Sequence, residues 1–187
     1  MFLTFFFFGI RELGHFTTSP IIGSIRYVFG IWAAIFMTAA LFSIYMVICQ
    51  HRKIPKIISY GSYGLASIFP LIWLYLYLSI PGNLKNIMSI IESLVWIFGS
   101  SISIYTSYML GTSTTGGFIK VFMFFQFSAY TALIWKFLGL LEHAGYPIPY
   151  NIREILETLF GIFAITSMYI LAGMLRKLSR MYGDHKN

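Results

Sequence analysis

Two short stretches of the chain combine a carboxylate with an imidazole. One is Arg11-Glu12-Leu13-Gly14-His15-Phe16 and the other is Leu141-Glu142-His143-Ala144-Gly145-Tyr146. Imidazole is a ligand for haem iron, zinc and copper. A carboxylate beside it can join the metal or fix the imidazole tautomer from outside. Glu12 and His15 are three residues apart and share a helical face. Glu142 and His143 are adjacent, so a turn at Gly145 has to bring both inward. Two imidazoles suffice for a haem b, which makes His15 and His143 candidate axial ligands. Copper or zinc needs Glu12 or Glu142 as further ligands. The structural alternative is that both stretches are polar helix ends capping carbonyls. His51 and His185 lie in basic segments and read as solvated.

A second set of candidates lies inside apolar runs. Glu92 is the costliest, because a charge at the centre of a membrane span costs about 2.5 to 3.5 kcal/mol on insertion scales. It is either a proton-relay or cation-binding carboxylate, or the partner of Lys85 or Lys136. Gln126 and the series Ser100, Ser101, Ser103, Thr106 and Ser107 read as hydrogen-bonding glue between helices, or as the lining of a polar path. Glu157 is the deepest of Arg153, Glu154 and Glu157, which open a helix where acids suit the positive end of the helix dipole.

The elements that must hold these residues follow from composition. Of 187 residues, 58% are hydrophobic and only 10% charged, with mean hydropathy +0.76. A soluble domain carries roughly 25% charged residues, so the chain belongs to the membrane class. Five apolar runs are long enough to span, at about 27–49, 57–80, 87–110, 118–141 and 154–175. A tail, 176–187, follows. Residues 1–16 lack the basic start and small-residue cleavage site of a signal peptide. They read as a retained short or tilted helix about 24 Å long at 1.5 Å per residue. The expected fold is an all-α, single-domain, polytopic bundle of about five transmembrane helices plus that short helix. The pentapeptides Phe29-Gly30-Ile31-Trp32-Ala33 and Phe160-Gly161-Ile162-Phe163-Ala164 follow the two corners and suggest a weak parallel internal repeat.

The formal charge of +7 is spread along helix ends, where it sets orientation. The cluster from His51 to Lys56 and the tail at Arg176 to Arg180 fall on one side, read as cytoplasmic. Both acid-histidine corners then fall outside a cell membrane. No basic stripe interleaved with aromatics indicates nucleic acid. One cysteine, Cys49, excludes an intrachain disulfide or a Cys-pair redox motif. The Gly111 to Gly117 loop lacks the lysine of a phosphate-binding loop. Expected partners are the lipid bilayer and either other membrane subunits or a second copy. Three functions are compatible with these residues. They are a haem- or metal-binding electron carrier, a small transporter or channel with a polar path along the third and fourth spans, and an assembly subunit without chemistry.

Overall fold

The computed structural model describes residues 2–16, 20–50 and 56–183. The side chain of His15, the segment 51–55 and His185 lie outside the described residues. Every described element is helical: α1 (Phe2–Leu13), a 3-10 turn (Gly14–Phe16), α2 (Pro20–Ile48), α3 (Lys56–Ser79), a second 3-10 turn (Pro81–Asn83), α4 (Leu84–Ser113), α5 (Gly117–His143) and α6 (Tyr150–Gly183). Five of the helices are long and apolar enough to cross a membrane, and α1 is the short extra one.

The helices overrun the apolar runs that signal them. α2 starts at Pro20, ahead of the charge-free stretch. Proline is preorganised for a first helical turn. Arg26 stays within the helix because its guanidinium lies 4.9 Å from the Tyr27 ring and donates to the Tyr27 hydroxyl. α6 continues through the basic tail to Gly183, since lysine and arginine are good helix formers whether or not lipid surrounds them.

Short connections make sequential spans antiparallel. α2, α4, α5 and α6 form an arc in which each packs on the next. α3 and α1 both pack on α2. From α1, Phe7 packs on Phe29, Trp32 and Phe36 of α2. Phe8 reaches Trp96 of α4 and Phe160 of α6.

Lipid offers no hydrophobic drive for helix association, so close packing and interhelical hydrogen bonds hold such bundles together. Ala33, Ala34, Ser100, Ser103, Ala129 and Ala132 are fully buried small residues at these seams. Ser128 donates to the Phe160 carbonyl at 3.1 Å, Ser167 to Val121 at 2.8 Å and Thr38 to Gly99 at 3.2 Å. α3 is attached mainly to α2. Ala66, Phe69 and Leu76 pack on α2, Trp32 donates to the Ala66 carbonyl at 2.8 Å, and Trp73 donates to Ser24 at 2.9 Å. An apolar cleft of about 510 Å³ separates α3 from α4, with Gly61 and Leu65 on one wall and Phe98 and Ile102 on the other.

The repeated pentapeptide lies inside α2 and α6 rather than at their starts, in helices that run in the same direction, and its glycines differ. A Cβ on Gly30 would overlap the Glu92 carboxylate, coming 2.8 Å from its Cδ and 3.1 Å from Arg11 Cδ. A Cβ on Gly161 would meet nothing within 4 Å. Only the first glycine makes room for another side chain.

Candidate functional site: a charged pocket at one end of the bundle

Arg11 is the last basic residue of a helix made almost entirely of apolar side chains. Because Phe7 and Phe8 dock that helix into the arc, Arg11 is carried inside. Its Nε donates to Glu92 Oε1 of α4 at 2.9 Å, and its Nη1 donates to Glu157 Oε1 of α6 at 2.7 Å. Nη1 also pairs with Glu12. Lys136 of α5 donates to the other oxygen of Glu92 at 2.8 Å. Glu92 is 1% exposed, Lys136 4% and Arg11 5%. Four helices thus meet in one ion network. The Gly30 backbone of a fifth helix presses against it.

A buried ion has to recover its lost hydration from geometry. Here the carboxylate of Glu92 uses both oxygens and is held between two cations. The cations also sit over aromatic faces. Lys136 Nζ is 4.0 Å from the Trp135 ring centroid and Arg11 Cζ is 5.0 Å from it. Such contacts are worth about 2 kcal/mol or more when desolvated.

The network forms the base of a polar pocket of about 360 Å³. Its wall carries Arg11, Arg26, Lys85, Lys136 and Arg153 against Glu92, Glu154 and Glu157, five cations to three carboxylates. Ser89, Ser93, His143 and Tyr150 complete the polar lining. One helical turn deeper the chemistry changes. Phe8, Trp96, Trp135 and Phe160 pack edge and face with centroids 5.2 to 6.4 Å apart. Trp96 is fully buried. This aromatic layer packs against the floor of the pocket, and Trp135 is part of the lining.

No family model, curated protein or solved structure matches this chain.

The residues singled out from the sequence divide among three places. Glu92, Glu157 and His143 line the pocket together. His143 shares a 3.0 Å hydrogen bond with Ser89 through its Nε2. Glu142 is exposed and pairs with Arg153 across the turn between α5 and α6. Glu12 lies beside Arg11. Gln126 is half-buried on α5, ten residues from Lys136, a rise of about 15 Å. The imidazole of His15 lies outside the described residues. Among the described residues, no group of three or more His, Cys, Asp or Glu side chains converges as a metal site would require.

Sequence reasoning passed over Arg11, the residue that ties the network together. Its signal is positional. Phe7, Phe8 and Arg11 lie at i, i+1 and i+4, so the charge shares the face that carries the docking aromatics.

Proposed function

We propose that the protein is a small membrane transporter whose charged pocket binds an anionic solute. The observation that carries this reading is the pocket's wall, which has five cationic side chains and three carboxylates around a cavity of about 360 Å³. Ionisable residues inside a membrane bundle are costly and mark substrate or ion pathways. Arg11 and Arg153 are also paired with Glu12 and Glu142, so a solute carrying carboxylate or phosphate oxygens binds by taking the place of Glu142 on Arg153. Lys85, exposed at the rim, and Arg153 are the groups that meet it first. The aromatic layer of Trp96, Trp135 and Phe160 is the closed gate below it, as alternating access requires.

Thermal melting of the detergent-purified protein against a panel of small carboxylates, phosphates and amines tests this. A ligand at 100 times its Kd adds about 2.7 kcal/mol of stability. We expect some of the anions to raise the midpoint and Lys85→Ala with Arg153→Ala to remove the shift. Stabilisation by amines alone, or by nothing in the panel, sinks the proposal.

The second reading is a haem, copper or zinc site, favoured by His143 lining the same pocket. An optical spectrum of the purified protein separates the two. A Soret band lost in the His15→Ala/His143→Ala double variant selects haem, and metal analysis of the same sample decides for copper or zinc.

We further propose that the pocket opens on the outer face of a cell membrane, opposite the basic tail. In a Cys49→Ser background, Tyr146→Cys should react with an impermeant maleimide added outside. Reaction only after permeabilisation reverses the orientation.

A further inference from the structure

Two tryptophan bonds hold the later half of α3 against α2. Pro70 lies inside α3 and has no N–H, so the Ala66 carbonyl four residues back lacks its helical donor. Trp32 of α2 supplies that bond at 2.8 Å. Two turns further on, Trp73 donates to Ser24 at 2.9 Å. The short turn Pro81–Asn83 then leads into α4. Before Ala66 the Tyr63 ring leans on Phe36 of α2, with centroids 5.5 Å apart. There α3 stands off from α4, and Gly61 and Leu65 face the apolar cleft instead.

The dimensions of the cleft select its occupant. From Gly61 to Phe69 its α3 wall rises about 12 Å, in the first half of the span Tyr60–Ser79. One leaflet contributes about 15 Å to a hydrocarbon core about 30 Å thick. Spread over that 12 Å, a volume of about 510 Å³ has a cross-section of about 40 Å². A helix about 10 Å across fills about 80 Å², so the cleft takes hydrocarbon chains and no helix. Its surface is almost wholly apolar. The Thr38 hydroxyl on its wall already donates to the carbonyls of Ala34 and Gly99, at 2.9 and 3.2 Å. A water, which needs two to four polar partners, has too few here. An empty cleft would forfeit dispersion contacts along every wall. Phe98 and Ile102 are exposed, so the cleft opens sideways to the surrounding hydrocarbon.

We infer that the cleft binds the acyl chains of an anionic phospholipid from the leaflet at the Lys56 end of the bundle. Lys56 opens α3 and is exposed. It stands five residues before Gly61, about 7.5 Å along the axis. Acyl chains lying in the cleft therefore bring the phosphate to the level of this ammonium. A lysine at the membrane surface attracts anionic headgroups. The lipid fills the gap between α3 and α4, where the two helices do not support each other. The site is separate from the charged pocket and does not depend on its ligand. Lys85, Ser89, Glu92 and Ser93 of the pocket all precede Val95, the first α4 residue of the cleft.

Native mass spectrometry of the full chain, released from mild detergent after incubation with phosphatidylglycerol or phosphatidylcholine, tests this. The wild-type protein should retain one phosphatidylglycerol about fivefold more often than phosphatidylcholine, the effect of one lysine at a membrane surface. Lys56→Ala should bring the two lipids level. Gly61→Leu should abolish retention, because a side chain there enters open space on the cleft wall. Ala39→Leu fills the same cleft from α2 and should act alike. Gly64→Leu, also in open space but outside the lining, should retain lipid as the wild type does. Melting each variant without lipid separates a plugged cleft from a failed fold, and either plugging variant that folds suffices for the test. No retained lipid in the wild type, equal retention of the two lipids, or undiminished retention in a folded plugging variant overturns the inference. A dimer that Gly61→Leu dissolves identifies a second copy as the occupant and overturns it as well.

Discussion

Glu92→Gln should lower the thermal midpoint of the detergent-solubilised protein by roughly 10 °C. The substitution keeps the shape of the side chain and removes its charge. Lys136 then loses its carboxylate while remaining 4% exposed, and Arg11 keeps only Glu157 and Glu12. Breaking a buried ion pair by removing one partner costs about 3 to 5 kcal/mol, because the other charge is left behind without water. At this chain length each kcal/mol moves a midpoint by about 2 to 4 °C. Removing Lys136 as well, as Glu92→Gln/Lys136→Met, should recover much of the loss, since the stranded charge has gone too. A midpoint unchanged in the single variant means that water reaches Lys136 freely, and the description of the pocket floor is then incorrect.

Gly30→Ala and Gly161→Ala should have opposite outcomes although the two glycines occupy the same place in the same pentapeptide. An added methyl at Gly30 falls on the Glu92 carboxylate and against the Arg11 stem. Helix backbone cannot yield there, so the carboxylate must move off both cations. The expected loss approaches the 3 to 5 kcal/mol, in order of magnitude, of a broken pair. At Gly161 the methyl enters open space, and replacing a mid-helix glycine by alanine gains up to about 1 kcal/mol. Melting both variants side by side reads the difference directly. Equal midpoints would mean that the Gly30 contact is not a constraint.

How far the sequence foretells this site depends on the residue. Glu92 is conspicuous as the carboxylate of a long apolar run, and Lys136 is one of the two lysines within plausible reach of it. The number of spans is legible for the same reason, because about 20 apolar residues have few alternatives. Helix ends are less so, since hydropathy is blind to Pro20 as a starter and to the helical propensity of a basic tail. Arg11 is illegible as a site residue. It ends a helix too short to span, where a charge normally belongs to the interface. Only the docking of Phe7 and Phe8 brings it to Glu92, 81 residues away in sequence. The bond between His143 and Ser89 is likewise set by how α4 and α5 pack, and no spacing rule connects them. Glu142 is not part of the pocket lining but pairs with Arg153, which is, 11 residues later across a tight turn.

The position of Arg11 also imposes an order on synthesis. It leaves the ribosome ahead of its partners Glu92 and Glu157, which lie 81 and 146 residues behind it. At about 5 to 20 residues per second, the last of them follows roughly 7 to 30 s later. Until Glu92 follows, the short helix has nowhere in the hydrocarbon to place a guanidinium, so it must wait at the headgroups. The burial of Arg11 is therefore completed when α1 enters a groove to which α6, made after it, contributes Glu157. A nascent chain stalled before α4 keeps α1 at the membrane surface, still open to proteases that the finished protein excludes.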